Sequence, residues 1–420
     1  MRFTTLLFAG IISLASCKKN TTPNIEEPIA NNQSISWIKS FGGTNFDFYN
    51  AAIQTSAGDY VVAGSSRSTD GDLTGARVSY DVWITRINVN GGKVWSKAYG
   101  DNSDEYVTSI VQTSDGGYFI VYYSGFPLLP VGGTPNYAWG LKTDADGNLL
   151  WKKQLSTSND AQPFSVILTG DGNMLVSGFA FYEGSRKGWV SKINNNGDKV
   201  WEKHFGGDAE DIFNGAVRSA DGGFVLTGYT KSANGDMENN KGHYDGWILK
   251  TDANGNKLWS KSFGGSSEDN LSKIVATSDG GYMAIGSSKS NNGDIGSNKG
   301  GFDAWIIKVD GNGNKQWVKT YGGGNEEYMT GLVPAPGGGF AVGGYTNSHT
   351  GDVSRTSGDY GGWLFKIDNN GNKTSASTYG GPGDEVLYSL SSTQDGYIIA
   401  GTTYSSSNGY DGWLVKVGQF

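Results

Sequence analysis

The chain has little of what catalytic and metal-binding sites are usually built from: one cysteine and three histidines in 420 residues. Cys17 has no disulfide partner within the chain. His204, His243 and His349 fall at non-equivalent places in the repeat described below. A three-histidine metal site is therefore not expected, and each histidine reads as a surface residue. Beyond the N-terminal segment the arginines are Arg67, Arg77, Arg86, Arg186, Arg218 and Arg355, too scattered to converge on a carboxylate as a sialidase triad must. There is no basic stripe, and the net charge of −8 with a pI near 5.0 argues against nucleic acid as a partner. No stretch has the period of a long amphipathic helix.

What is abundant is glycine, 66 residues, beside 13% aromatics and 36% hydrophobic residues. That suits many short strands joined by tight turns. The strongest signal is self-similarity. Units open at Trp37, Trp95, Trp151, Trp201, Trp259 and Trp317, with a degenerate start at Ser375. A period of a few tens of residues marks a solenoid, propeller or array, and units this short must share one continuous structure.

Within the unit opened by Trp259, strand signals run over Lys273 to Ser278, Tyr282 to Ser287, Ala304 to Val309 and Gln316 to Tyr321. The turns between them carry Asp279-Gly280 and Asp310-Gly311-Asn312-Gly313-Asn314. Four antiparallel strands in each of seven units, with no helix, predict an all-β fold: a seven-bladed β-propeller of four-stranded blades. The chain enters with an isolated fourth-strand signal, Trp37 to Gly43, and leaves after a third-strand signal, Asp411 to Val417. Pairing the two closes the ring and removes an exposed sheet edge. All thirteen tryptophans occupy two repeat positions, seven on third strands and six on fourth strands. Both sets read as wedges in the core rather than sugar-stacking platforms.

The N-terminus predicts an address. Met1-Arg2 precedes an apolar run from Phe3 to Leu14, followed by Ala15-Ser16-Cys17. This is the build of a secretory signal, not a membrane span. Leu14-Ala15-Ser16-Cys17 resembles a bacterial lipobox, which implies a lipidated Cys17 and, because Asp does not follow it, an outer-membrane location. Residues 1–16 are then the signal peptide, 17–35 the lipidated cysteine and a polar tether, and 36–420 the propeller.

The segments DGGYMAIGSSKS, FDAWIIKVDGNGN and WVKTYGGGNEE resemble the SBBP repeats of bacterial secreted and surface proteins. The likeness covers Ser36 to Phe420. It implies a propeller and no common catalytic residues. A second resemblance is to quinoprotein and BamB-type propellers, through Asp310, Gly313 and Trp317. Here the Asp-to-Gly interval is one residue shorter, and those propellers usually have eight blades.

Two sets of acids recur. Asp47, Asp104-Glu105, Glu210-Asp211, Glu268-Asp269, Glu326-Glu327 and Asp384-Glu385 follow the fourth strand, with Asp160 in the third unit. Near the channel they could ring a hard cation; as structural elements they would cap backbone N–H groups or bond the next blade, the reading that sixfold repetition favours. Asp72 and Asp81, Asp236 and Asp245, and Asp294 and Asp303 are each nine residues apart. They read as ordered loop closers or as Ca²⁺ ligands. Asp144-Ala145-Asp146-Gly147-Asn148 resembles part of an EF-hand loop but lacks its distal Glu.

Where the symmetry breaks, function is expected. The second unit carries Tyr122, Tyr123 and Phe126 in an apolar segment, with Tyr137 where siblings have Asp. The third shortens the same region to Phe181, Tyr182 and on to Arg186. Exposed aromatics on one face would recognise a glycan or a peptide, or would pack on one another. The reading that follows is a lipid-anchored, non-enzymatic binding module of the cell envelope, for a glycan or protein, with no cofactor other than a possible Ca²⁺. The alternatives are a polysaccharide hydrolase or lyase using channel carboxylates, and a BamB-like envelope scaffold.

Overall fold

A computed structural model describes residues 35–73, 79–125, 136–237, 240–353, 359–381, 383–405 and 409–419. The signal, Cys17, Phe126 and most of the tether lie outside them. The propeller begins with β1 (Ile35–Phe41), one residue earlier than the sequence suggests.

Blade one is β2 (Asp47–Gln54), β3 (Tyr60–Ser66), β4 (Asp81–Ile87) and β5 (Lys93–Tyr99). Blade two is β6 (Glu105–Gln112), β7 (Tyr118–Ser124), β8 (Tyr137–Thr143) and β9 (Leu149–Gln154). Blade three is β10 (Ala161–Leu168), β11 (Met174–Tyr182), β12 (Ser185–Ile193) and β13 (Lys199–Phe205). Blade four is β14 (Asp211–Arg218), β15 (Phe224–Thr230), β16 (Asp245–Thr251) and β17 (Lys257–Phe263). Blade five is β18 (Asp269–Ala276), β19 (Tyr282–Ser288), β20 (Asp303–Val309) and β21 (Lys315–Tyr321). Blade six is β22 (Glu327–Pro334), β23 (Phe340–Thr346), β24 (Gly361–Ile367) and β25 (Lys373–Tyr379). Blade seven is β26 (Glu385–Thr393), β27 (Gly396–Ser405) and β28 (Gly409–Gly418), completed by β1. Each sheet is an antiparallel meander.

Closure is by β1 on β28, with Ser40 opposite Trp413 and Phe41 opposite Gly412. The first strands pack on one another in chain order, and β26 returns to β2, so they form the inner wall of a ring. Each first strand carries a bulge, at Asn50, Thr108, Phe164, Asn214, Ser272, Thr330 and Tyr388. Some of these residues bond around the wall: Asn214 donates to Leu271 O (2.9 Å), Ser272 to Met329 O (2.6 Å) and Thr330 to Leu387 O (2.9 Å).

The tryptophans pack as the sequence implies, but in two distinct ways. Third-strand Trp83, Trp189, Trp247, Trp305, Trp363 and Trp413 are buried. Trp247 fills the space over Gly188 of the preceding blade, and Trp305 that over Gly246, so a side chain on either glycine would collide with an indole. Fourth-strand tryptophans are half-buried and reach forward. Trp37 Nε1 donates to Val89 O (2.9 Å), Trp151 to Asn195 O (3.2 Å) and Trp259 to Gly311 O (3.3 Å), each in the next blade's turn between strands three and four.

A second fastening recurs at the same end of the blades, in every blade but the sixth, where Lys366 meets Pro336 O instead. A strand-three cation grips an aspartate from the turn between strands one and two: Lys142 to Asp115 (2.9 Å), Lys308 to Asp279 (2.9 Å) and Lys416 to Asp395 (2.8 Å). Those three lysines are buried and their aspartates exposed.

The first strands start earlier than predicted. In blade five the strand begins at Asp269, not Lys273. An acid and neighbouring polar residues look like loop, yet Asp269 is buried because Ser288, Ser290 and the N–H of Gly265 all donate to it. No helix among the described residues is long and apolar enough to cross a membrane.

Candidate functional site

The repeated acids divide into two layers. The inner layer, Asp47, Glu105, Asp211, Asp269, Glu327 and Glu385, is buried at the blade junctions. Asp47 accepts from Gly43 N (2.8 Å), Asp211 from Gly207 N (2.8 Å), Asp269 from Gly265 N (2.7 Å) and Glu327 from Gly323 N (2.9 Å). These carboxylates therefore cap the backbone, the structural one of the two roles read from sequence. A third-strand aspartate of the preceding blade faces several of them across the first glycine of the Gly-Gly pair. A Cβ on Gly264 would stand 2.5 Å from Asp245 Oδ1 and 2.7 Å from Asp269 Oδ2, so only glycine fits.

Burial of paired acids raises their proton affinity. Burial and the neighbouring Glu327 push Asp303 up to about 7. Burial, with Asp269 and Asp294 nearby, pushes Asp245 up to about 6. These groups are sealed between blades and touch no open surface.

The aspartates nine residues apart are not brought together. Asp72 accepts from Gly42 N (3.2 Å) at the junction of blades seven and one, whereas Asp81 lies against Gly100 at the next junction. Asp236 likewise accepts from Gly206 N (2.9 Å), while Asp245 faces Gly264. Asp294 belongs with Gly264 and Asp303 with Gly322. Lysines already serve the loop acids: Lys93 on Asp72 (2.5 Å), Lys257 on Asp236, and Lys241 and Lys315 on Asp294 (both 2.5 Å). Asp144 closes its own turn, accepting from the N–H groups of Asp146 (2.9 Å) and Asn148 (2.8 Å). Among the described residues no group of three or more His, Cys, Asp or Glu is arranged to hold a metal ion.

The outer layer of acids builds something different. On the face carrying the loops between strands two and three, an aromatic stands just before the third strand in four blades, Tyr80, Tyr244, Phe302 and Tyr360, and at the equivalent place within β28, Tyr410. These rings meet aromatics from the inner two strands. Tyr80 lies 5.6 Å from Phe48 and 5.1 Å from Tyr106, which stacks on Tyr123 at 5.2 Å. Phe302, Tyr328, Tyr345 and Tyr360 form a second run at 5.3, 5.2 and 5.7 Å. Tyr388, at the bulge of blade seven, is within electrostatic reach of Tyr80 and Tyr410 and also of Tyr345, joining the runs into one arc.

Carboxylates clamp this arc. Asp104 accepts from Tyr80 N (3.0 Å), Glu326 from Phe302 N (2.9 Å) and Tyr328 Oη (3.2 Å), and Asp384 from Tyr360 N (3.1 Å) and Tyr410 Oη (3.3 Å). The arc is thus rigid, with aromatic rings and carboxylates meeting at the mouth of the ring. Tyr80, Tyr328, Tyr345, Tyr360, Tyr388 and Tyr410 are only half-buried.

The residues singled out from sequence are dispersed. Tyr122 and Tyr123 are in β7 and buried, not in a loop. Tyr122 stands opposite Trp139, where the six sibling strands hold a glycine, and Trp139 is pushed to partial exposure. A direct surface role for Tyr122 and Tyr123 is thereby corrected to packing. Tyr137 opens β8 half-buried. Phe181 and Tyr182 are exposed at the tip of the hairpin β11–β12, whose turn is Glu183-Gly184 with both residues at positive φ. Tyr182 stacks on His204 at 4.2 Å. Arg186 is held by Asp160 (2.8 Å) and Glu210 (3.3 Å) over the Phe179 ring, so its charge is already matched. The mouth itself was missed, although an aromatic recurring just before the third-strand Asp was visible.

No protein-family description matches the chain. Over 86% of its length it is 22% identical to the regulatory protein FlaEY of Caulobacter vibrioides, and the match spans 42% of that protein. Among solved structures it is similar to the polysaccharide lyase Uly1, with a TM-score of 0.53 at 9% identity, covering 94% of this chain and 99% of that one. Sqt1 of Chaetomium thermophilum aligns with a TM-score of 0.48 at 11% identity over 93% of this chain and 91% of its own. At such identities the likeness extends to the fold: the chain is a seven-bladed propeller.

Proposed function

We propose that the protein is a non-enzymatic binding module whose aromatic mouth takes a glycan, presented at the bacterial cell envelope by a lipid on Cys17. The observation that carries this reading is the arc of half-buried rings clamped by Asp104, Glu326 and Asp384. Pyranose rings present apolar C–H faces that stack on aromatics, and their hydroxyls donate to carboxylates. A rigid site of this kind binds without needing to reorganise. The hairpin bearing Phe181 and Tyr182 belongs to the same loop-bearing face and offers a further apolar contact.

Hydrolysis or lyase chemistry has less support. Of the acids with raised proton affinity, Asp245, Asp303 and Glu105 are buried in blade junctions, away from any substrate, while Asp411 is half-buried. The test is a glycan array followed by calorimetric titration of the hits against wild type, Tyr80→Ala and Tyr360→Ala. The reading expects at least about a tenfold loss of affinity in each variant with unchanged melting. No binding to any glycan, or losses that merely track unfolding, would overturn it. Radiolabelled palmitate incorporation that disappears in Cys17→Ala tests the anchor.

A further inference from the structure

One charged side chain on the inner wall has no structural employment. The residue following each first-strand bulge is small in six blades, with alanine, serine or glycine, but in blade five it is Lys273. Apart from the acids that open these strands and Arg218 at the end of β14, it is the only charged residue on any first strand. Lys273 is partly exposed although its strand is the innermost of its blade and belongs to the inner wall of the ring.

The contrast with the other inner lysines is chemical. Lys142, Lys308 and Lys416 are more buried, and each has its aspartate. No ion pair or side-chain hydrogen bond joins Lys273 to any described residue, and burial alone moves its amine below the usual lysine range. The flanking blades hold Gly215 and Gly331 at the equivalent position, so neither carries a side chain there. A desolvated ammonium without a counter-ion is unfavourable, and an anion beside it removes that penalty.

We propose that Lys273 makes the central channel an anion site, holding a carboxylate or phosphate group. The site lies on the inner wall rather than among the mouth's aromatics and does not depend on the glycan reading.

The experiment is calorimetric titration of the full chain with sodium glucuronate and, separately, inorganic phosphate, at constant ionic strength. The two arms separate a carboxylate from a phosphate source. Wild type is expected to bind at least one of them. Lys273→Met, which keeps the length of the side chain, should weaken that binding about tenfold or more, and Lys273→Arg should retain it. Tyr360→Ala, which impairs the mouth, should leave it unchanged. On wild-type protein, the bound anion should protect Lys273 from reductive methylation, read by mass spectrometry. Binding of neither anion, equal binding by Lys273→Met, or no protection would each overturn the proposal.

Discussion

The indole of Trp317 in blade six's predecessor rests on the backbone of Gly371 in blade six: a Cβ added at Gly371 would stand 2.7 Å from Trp317 Cη2. The same contact joins Trp37 to Gly91, Trp95 to Gly147, Trp151 to Gly197, Trp201 to Gly255 and Trp259 to Gly313. It also explains the degenerate seventh start. Ser375 occupies the corresponding place on β25, whose forward neighbour is blade seven. There β28 and β1 meet from opposite ends of the chain, and no turn joins them for an indole to rest on. Trp317→Ala should cost about 2–3 kcal/mol. Gly371→Ala, at φ +76°, should cost about 1–3 kcal/mol. Ser375→Trp should stabilise nothing. Urea unfolding of the three variants checks all of this; a stabilised Ser375→Trp would contradict the docking account.

Asp303 gives the protein a specific pH dependence. Its folded-state affinity for a proton, near pH 7, is above the ordinary 3.8 because of burial and Glu327. A raised carboxyl contributes stability fully present below the unfolded value and lost as pH rises through the folded one. The contribution therefore fades between about pH 4 and 7. Asp303→Asn carries no proton to lose and should be more stable than wild type at pH 8 by about 1–2 kcal/mol, with the difference vanishing near pH 4. Thermal melts across that range decide it; parallel curves would refute the assignment.

Removing residues 36–43 should unzip the ring. The deletion takes away most of β1, exposing the edge of β28. The truncated chain should melt far below wild type and self-associate, which scattering and calorimetry read directly. A truncation melting like the full chain would show that the ring does not need this strand.

Calcium should not stabilise the described fold. Asp294 already carries Lys241 on one oxygen and Lys315 on the other. Adding a chelator should leave the melting temperature unchanged, and a drop would mean that a cation displaces those lysines.

The architecture was readable from sequence because a repeat averages out local ambiguity: the tryptophans, the Asp-Gly turns and the unpaired fourth strand all pointed to a closed ring. The readings that failed concern residues whose environment is supplied by a neighbouring strand rather than by their own segment. Asp269 looked like loop because the hydroxyls that bury it, Ser288 and Ser290, lie at the far end of the next strand. Tyr122 looked like an exposed departure from symmetry, yet the departure is absorbed by Trp139 moving outward. The mouth was hidden because its aromatics come from several repeat positions, adjacent only once the ring closes. Lys273 could have been found, since a lone charge among alanine, serine and glycine is visible on aligning the repeats.

The most direct test of the mouth as the binding surface is amide hydrogen exchange with and without a saturating glycan from the array. The account predicts protection at the strand entries around Tyr80, Asp104, Glu326, Tyr360 and Asp384, all on one face. Protection confined to the turns at Asp115, Asp279 and Asp395, or to the outer strands, would place the ligand elsewhere and contradict it.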